Sequence, residues 1–519
     1  MRLLVIICFS ISLIPSFSAV DLVIRNGLVY DGSGNLPKIT DISIENGRII
    51  SVGPEARKGT STLDARGMAI APGFIDVHTH AENILHQPKA ENFLRMGVTT
   101  LILGNCGSSK LNLADFFTNL AEKGFSPNIA SLIGHGTVRK QVMGGSIRRP
   151  PDARELAQMK QYIEKGMRDG ALGMSTGLIY LPGTFAKTEE LVELSKTVAA
   201  HNGLYVSHMR SEGTNIFKAV DEVCRIGAQA NLPVHISHLK LAGKPMWGKH
   251  PQLLSLLNTA RKKGLRLTHD QYAYTASSTS LRQLLPDDMV AGGAAAFARR
   301  ISDKTQRNKT LNWMKSRLFA RKRNDYSYAV IAYHKKDNRY NGLNVVEAAR
   351  LRYGQDTLNH QISLIFEIEI NGGASAVFHG MSEADARAFL ADPYTMFASD
   401  SSVRAFNKGV PHPRGYGNAA RFLGHYTRDQ KQLKLEEAVR KLTSLPARTF
   451  QLIGRGMLKA GYAADVVIFD PKKIRDNATF KRPHAYSTGF KHVIVNGQIV
   501  VENDRHNGAG PGQIIRRTQ

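Results

Sequence analysis

Eight short apolar runs, set apart by helix-length stretches, limit the fold of this chain more than any other feature. They cover residues 74–80, 98–105, 129–135, 171–179, 204–208, 234–238, 266–270 and 395–400. Short apolar runs of this kind mark strands covered on both faces. The intervening stretches, such as residues 152–168 and 188–201, carry helical patterns. Consecutive strands are then parallel and joined by crossover helices. Eight such units close into a (β/α)8 or TIM barrel, so the expected class is α/β with the barrel over residues 74–449.

Both flanks of that region have a different rhythm. Residues 20–73 alternate short β-rich runs with turns, including Asn26-Gly27 and Asn46-Gly47. Asn-Gly is a hairpin turn signal, because both central residues need positive φ. Residues 464–469 and 492–501 repeat the style, with Asn496-Gly497 at a turn. One small β-sandwich built from residues 20–73 and 450–519 is the expectation. A further gap, from Leu281 to about Gly354, is too long for a plain crossover. It predicts an inserted, lid-like subdomain over about 285–354.

The insertion holds much of the charge behind the formal net of +26. From Arg299 to Arg339, basic residues outnumber acidic ones by thirteen to three. No nucleic-acid motif accompanies them, so the block reads as a solvated face and no nucleic-acid partner is expected. At the N-terminus, Arg2, the apolar residues 3–17 and the small Ser18 and Ala19 form a secretory signal over 1–19. The mature protein is expected to be exported, periplasmic or secreted, with no membrane span left after cleavage. Of three cysteines, Cys8 lies in that leader, Cys224 sits in a helical pattern as a core residue, and Cys106 follows the second strand. No disulfide framework is available, so the core must hold the fold.

Chemistry collects where the strands end. His78 and His80 lie two apart, so both imidazoles leave the first strand on one side. Cys106, His208, His238 and Asp400 follow other strands, and in a barrel these ends share one pocket. One cysteine with two histidines is a zinc set that leaves a fourth position open.

The stretches Asp76-Val77-His78-Thr79-His80, Asn105-Cys106-Gly107, Ser175-Thr176-Gly177-Leu178-Ile179-Tyr180, Ser207-His208-Met209-Arg210, Ser237-His238-Leu239-Lys240, Ser399-Asp400 and His412-Pro413-Arg414-Gly415 run in order along the chain. Together they resemble the D-aminoacylase (N-acyl-D-amino-acid deacylase) family of the metal-dependent amidohydrolase superfamily. The resemblance implies that Cys106, His208 and His238 hold a tightly bound Zn2+. His78 and His80 would form a weaker second site, with Cys106 as a bridge. Many relatives bridge with a carboxylated lysine from the fourth strand, which here has none. The implied reaction is zinc-dependent hydrolysis of N-acyl-D-amino acids by activated water, with Asp400 as general acid/base. Tyr180 would donate to the developing oxyanion. Lys240, Arg414 and a serine of Ser277-Ser278 would bind the substrate carboxylate. His135, His235, His269 and His412 read as supporting residues.

Two departures border the pocket. Ala81-Glu82 stands where the family often has aspartates, and the stretch from Asp400 to Arg414 is longer than the family pattern. A dipeptidase acting on peptides with a C-terminal D-residue is an alternative with the same ligands. A cyclic amidase of the hydantoinase or dihydroorotase type is another, disfavoured by the missing lysine.

Overall fold

The computed structural model describes residues 19–54 and 58–517, so the expected leader lies outside the described residues except for Ala19. Eight parallel barrel strands are present. They are Phe74–Asp76, Val98–Leu103, Asn128–Ser131 continued by Ile133–Gly134, Gly173–Gly177, Leu204–His208, Val234–Ile236, Leu267–Gln271 and Thr395–Phe397. The ring closes between the last and first strands, where the His80 N–H donates to the Ser401 carbonyl at 2.8 Å and the Asp400 N–H to that of His78 at 2.9 Å.

The expected helices form outside the ring. Ala153–Arg168 starts from a capping box, with Asp152 accepting from the Glu155 N–H and Glu155 accepting in return. Such a cap satisfies two of the four free N–H groups of a helix start. Strand residues such as Leu101, Leu103 and Ile129 pack on the helices through Phe117, Ile163 and Val198. A second cluster joins Ile75, Val77, Leu204, Val206, Met396 and Ala398 to Leu445 and Phe450. These strand pairs are two residues apart, as one face of a strand requires.

Both chain ends enter one sheet. Its nine strands are hydrogen-bonded together, and Ile24, Ile44, Ile70, Val466 and Ile494 from both halves share one core. The halves meet where Ala69–Pro72 runs antiparallel to Val466–Phe469. Residues 509–517 then leave this sheet and run along the barrel. Gln513 accepts from the Ile129 N–H at 2.9 Å, and Ile515 donates to the Ile129 carbonyl at 2.7 Å.

The insertion is wider than the sequence suggested. A three-stranded antiparallel sheet of Ala276–Ser280, Ser375–His379 and Ala329–Tyr333 opens and closes it. It therefore spans 276–379, not 285–354. Helices Gly293–Ser302, Lys304–Ala320, Val345–Tyr353 and Leu358–Ile370 surround a separate core that includes Phe297, Met314 and Phe366.

Candidate active site

The barrel mouth gathers the strand-end residues around one sulfur. Cys106 Sγ lies 3.3 Å from His78 Nε2, 3.5 Å from His208 Nδ1 and 3.8 Å from His238 Nε2. A tetrahedral zinc with Zn–S of about 2.3 Å and Zn–N of about 2.1 Å separates sulfur from nitrogen ligands by about 3.5 Å. The donor set and its spacing therefore fit a zinc ion. Ligand atoms converge in three overlapping groups: His78, Cys106 and His238; His78, His80 and Asp400; His208, Glu212 and His238. His78 belongs to two of them, so it sits between the expected tight and weak sites rather than apart from the first.

The backbone at these residues is strained. Cys106, His238 and Asp400 have φ of 54°, 35° and 50°. Side chains rarely adopt that region, and strain of this kind gathers at functional sites. The turn carrying Cys106 is braced from below. Glu82, one of the departures from the family pattern, accepts from the Gly104 N–H at 2.8 Å. Gly104 itself has φ +78°, and a Cβ there would stand 2.1 Å from the Leu132 carbonyl oxygen.

Carboxylates orient the imidazoles. Glu212 Oε1 lies 2.9 Å from His238 Nδ1, and Asp270 Oδ2 lies 3.5 Å from His78 Nδ1. With Nε2 of His238 turned to the sulfur, its Nδ1 faces Glu212 and, at 2.8 Å, Lys240 Nζ, so the carboxylate and the ammonium together fix the ring. Asp270 also accepts from the His238 N–H at 2.7 Å and meets His235 Nε2 at 2.8 Å. His412 Nε2 donates to the Ala276 carbonyl, and His135 pairs with Glu190. Neither touches the ligand cluster in these pairings.

Charge in the cluster is mutual. Burial opposes the Cys106 thiolate, yet His78 and His208 hold its pKa well below the usual value. Burial also opposes the His80 cation, while Asp400 and Cys106 lift its pKa to about 10. Burial would raise Asp400, but Arg414 and His78 hold it well below the carboxylate range. Asp400 Oδ1 is 3.3 Å from His80 Nε2, and Oδ2 is 2.9 Å from Arg414 Nη2. Burial pushes the Tyr180 phenol far up, with the Cys106 charge adding to it, so it stays protonated. Thr279 donates to its oxygen at 3.1 Å, which leaves the Tyr180 O–H free to donate.

A cleft of about 930 Å³ opens over these groups and is lined by His80, Cys106, Tyr180, Ser278, Thr279, Asp400, Arg404 and Arg414, among others. One expectation needs correction and another is narrowed. Lys240 is not in the lining: its Nζ lies 2.5 Å from Glu212 Oε1, so it holds the carboxylate that orients His238. Of the two serines, Ser278 lines the cleft beside Thr279, and Ser277 does not. None of the basic residues between 299 and 339 lines the cleft. Sequence reasoning also missed Glu212, Asp270 and Arg404 as site residues. The first two could have been sought, since each ligating histidine needs a partner for its second nitrogen.

Comparison with known proteins agrees with this geometry. The model of the amidohydrolase family matches residues 61–501. The D-aminoacylase of Alcaligenes xylosoxydans xylosoxydans is 32% identical, over 96% of this chain and 98% of its own length. The N-acyl-D-glutamate deacylase of the same organism is also 32% identical, over 96% of each chain. A crystal structure of N-acyl-D-glutamate deacylase from Bordetella bronchiseptica, complexed with zinc and a phosphonate inhibitor that mimics the reaction tetrahedral intermediate, has a TM-score of 0.83. It is 29% identical and covers 96% of this chain and 100% of its own.

Proposed function

The chain belongs to the amidohydrolase family, and from that premise we propose that it hydrolyses N-acyl-D-amino acids to a carboxylate and a free D-amino acid. The observation that carries the reading is Asp400, placed between the histidine pair and Arg414 at the mouth of the cleft. Cys106, His208 and His238 would hold one zinc ion, and His78, His80 and Asp400 a second, weaker one. Bound zinc supplies a Lewis acid and a water acidified to a pKa near about 7.

The remaining work falls to the chain. Asp400 is ionised, so it can take the proton of the attacking water. It can then deliver that proton to the leaving amine, which otherwise departs as a poor anion. The Tyr180 O–H donates to the oxygen that gains charge as the amide carbon becomes tetrahedral. Arg414 is buried, and among the described residues its Nε and Nη1 have no hydrogen-bond partner. These donors suit the substrate α-carboxylate while Nη2 keeps Asp400 in place. The apolar leader would direct the protein out of the cytoplasm.

Zinc-loaded protein should cleave N-acetyl-D-amino acids and leave their L-enantiomers intact. Turnover confined to dipeptides with a C-terminal D-residue, or to cyclic amides, would replace this reading with one of the two alternatives. Absence of the processed chain from both the periplasm and the medium would remove the export assignment.

A further inference from the structure

We propose that Arg404 selects N-acyl-D-amino acids whose side chain is itself a carboxylic acid. The inference rests on the reaction proposed above and names the substrate class within it.

The cleft holds more positive than negative charge. Lys140, Arg404 and Arg414 line it, opposed by Asp400 beside the ligand cluster. Asp400 is already engaged by Arg414 and His80. Arg404 forms no salt bridge among the described residues, and its guanidinium Nε donates to Ser401 Oγ at 3.1 Å. Burial and the neighbouring Arg414 draw its pKa down to about 10. Arg404 is half-buried and open to the cleft, and a cation held beside another cation favours an anion that joins it. The basic insertion does not provide this charge; the long stretch between Asp400 and Arg414 does.

That stretch is fixed before any ligand arrives. The Arg404 N–H donates to Asn92 Oδ1 at 3.1 Å, and Asn83 Nδ2 donates to the Val403 carbonyl at 2.8 Å. Further on, the Val410 N–H donates to the Ala332 carbonyl at 2.8 Å, and His484 Nε2 meets the Gly409 carbonyl at 2.9 Å. Phe406 stacks on Tyr486 at 5.1 Å. The arm is therefore strapped to both the insertion and the loop that precedes strand Phe490–Val495, and its arginine is preorganised.

Position decides which half of the substrate it meets. A Cβ on Gly415, next to Arg414, would lie 3.4 Å from Arg404 Cγ and Nε. The two guanidinium-bearing residues are thus neighbours. If Arg414 takes the α-carboxylate, the adjacent cation faces the amino-acid side chain, not the acyl group. An aspartate or glutamate side chain places its carboxylate one or two methylenes from the α-carbon, within reach of a planar, bidentate donor.

The test uses the zinc-loaded full chain as wild type, R404Q and R404K. Wild type should favour N-acetyl-D-glutamate or N-acetyl-D-aspartate over N-acetyl-D-glutamine and N-acetyl-D-leucine by roughly 100-fold in kcat/KM, since neutral side chains leave the arginine unpaired. R404Q should erase most of that ratio through KM, and R404K should restore part of it. Equal turnover of acidic and neutral substrates by wild type overturns the proposal. An equal loss on every substrate in R404Q does the same, as does a preference for N-succinyl-D-leucine over N-acetyl-D-glutamate. Calorimetry with free D-glutamate separates the two levels. If no amide is cleaved but D-glutamate binds wild type and not R404Q, the Arg404 assignment stands and the reaction falls. If it binds both alike, the Arg404 assignment falls.

Discussion

The two ends of this barrel bury polar groups in opposite ways. At the base, Asp465 is met from several sides: by Asn128 Nδ2 at 3.0 Å, by the Asn496 N–H at 2.9 Å and by the Arg455 guanidinium. At the mouth, a thiolate, four histidines and Asp400 crowd together, and among the described residues Arg414 Nε and Nη1 have no hydrogen-bond partner. Positive φ falls on Cys106, His238 and Asp400 there. A network that serves stability matches its charges internally. A network that serves a ligand leaves charge and strain for the ligand to relieve.

The largest effect should come from the mouth. Cys106→Ala removes the sulfur that all three imidazoles face. Tight zinc should be lost, and kcat/KM should fall on the order of 10³-fold. The metal-free variant should unfold in denaturant within about 1 kcal/mol of metal-free wild type, because the site adds little to the apo fold. Retained zinc would dismantle the proposed cluster. A large loss of apo stability would erase the contrast between the two ends.

The matching change at the base is Asp465→Ala. It leaves Arg455 buried without its carboxylate and strips two further donors of their acceptor. Removing one partner of a buried pair costs about 3–5 kcal/mol. Urea unfolding should show that loss, while kcat/KM per folded molecule stays within about twofold. The contrast sharpens if activity holds, and breaks if it falls with stability.

Glu212→Gln should have a smaller effect, confined to the mouth. The amide keeps a hydrogen bond to His238 but loses the charge that Lys240 and the imidazole share. Zinc affinity should drop about 10–100-fold, read by competition with a chelator. No drop would return Lys240 to the substrate-binding role that the sequence suggested.

Much of the barrel was legible because buried parallel strands announce themselves as apolar runs. The run at residues 204–208 is the strand Leu204–His208, and 266–270 is Leu267–Gln271 shifted by one. The insertion's edge was not legible. Ala276-Ser277-Ser278-Thr279-Ser280 has no apolar alternation, and its partner Ser375–His379 lies far along the chain. The same polarity left either serine of the pair a candidate ligand, and only Ser278 lines the cleft. Strand-end histidines and Cys106 could be found singly, because each sits at a recognisable boundary. Glu212 and Asp270 gain meaning only when other strands bring His238 and His78 beside them. Lys240 was misread for the same reason, since nothing local reveals that Glu212 engages it.

The smallest effect on activity concerns pH and belongs to the base. Lys441 is buried beneath the last barrel strand, donating to the carbonyls of Leu390, at 2.8 Å, and Asp392. Burial lowers its pKa from 10.5 to about 7, a fall that Glu437 and Asp392 only partly offset. The folded protein then releases this proton more readily than the unfolded chain does. Between about pH 7 and 10.5 the unfolded state binds more protons, so stability rises with pH across that window. Below about pH 7 both states are protonated, and the cost of burying the charge is felt in full. The slope contributed by one such group is at most about 1.4 kcal/mol per pH unit. Lys441→Met should flatten that slope in urea unfolding series from pH 7 to 10, while kcat/KM at fixed pH changes little. An unchanged slope would assign the pH dependence to the histidine and thiol cluster at the mouth, and the base would no longer be the end that sets stability.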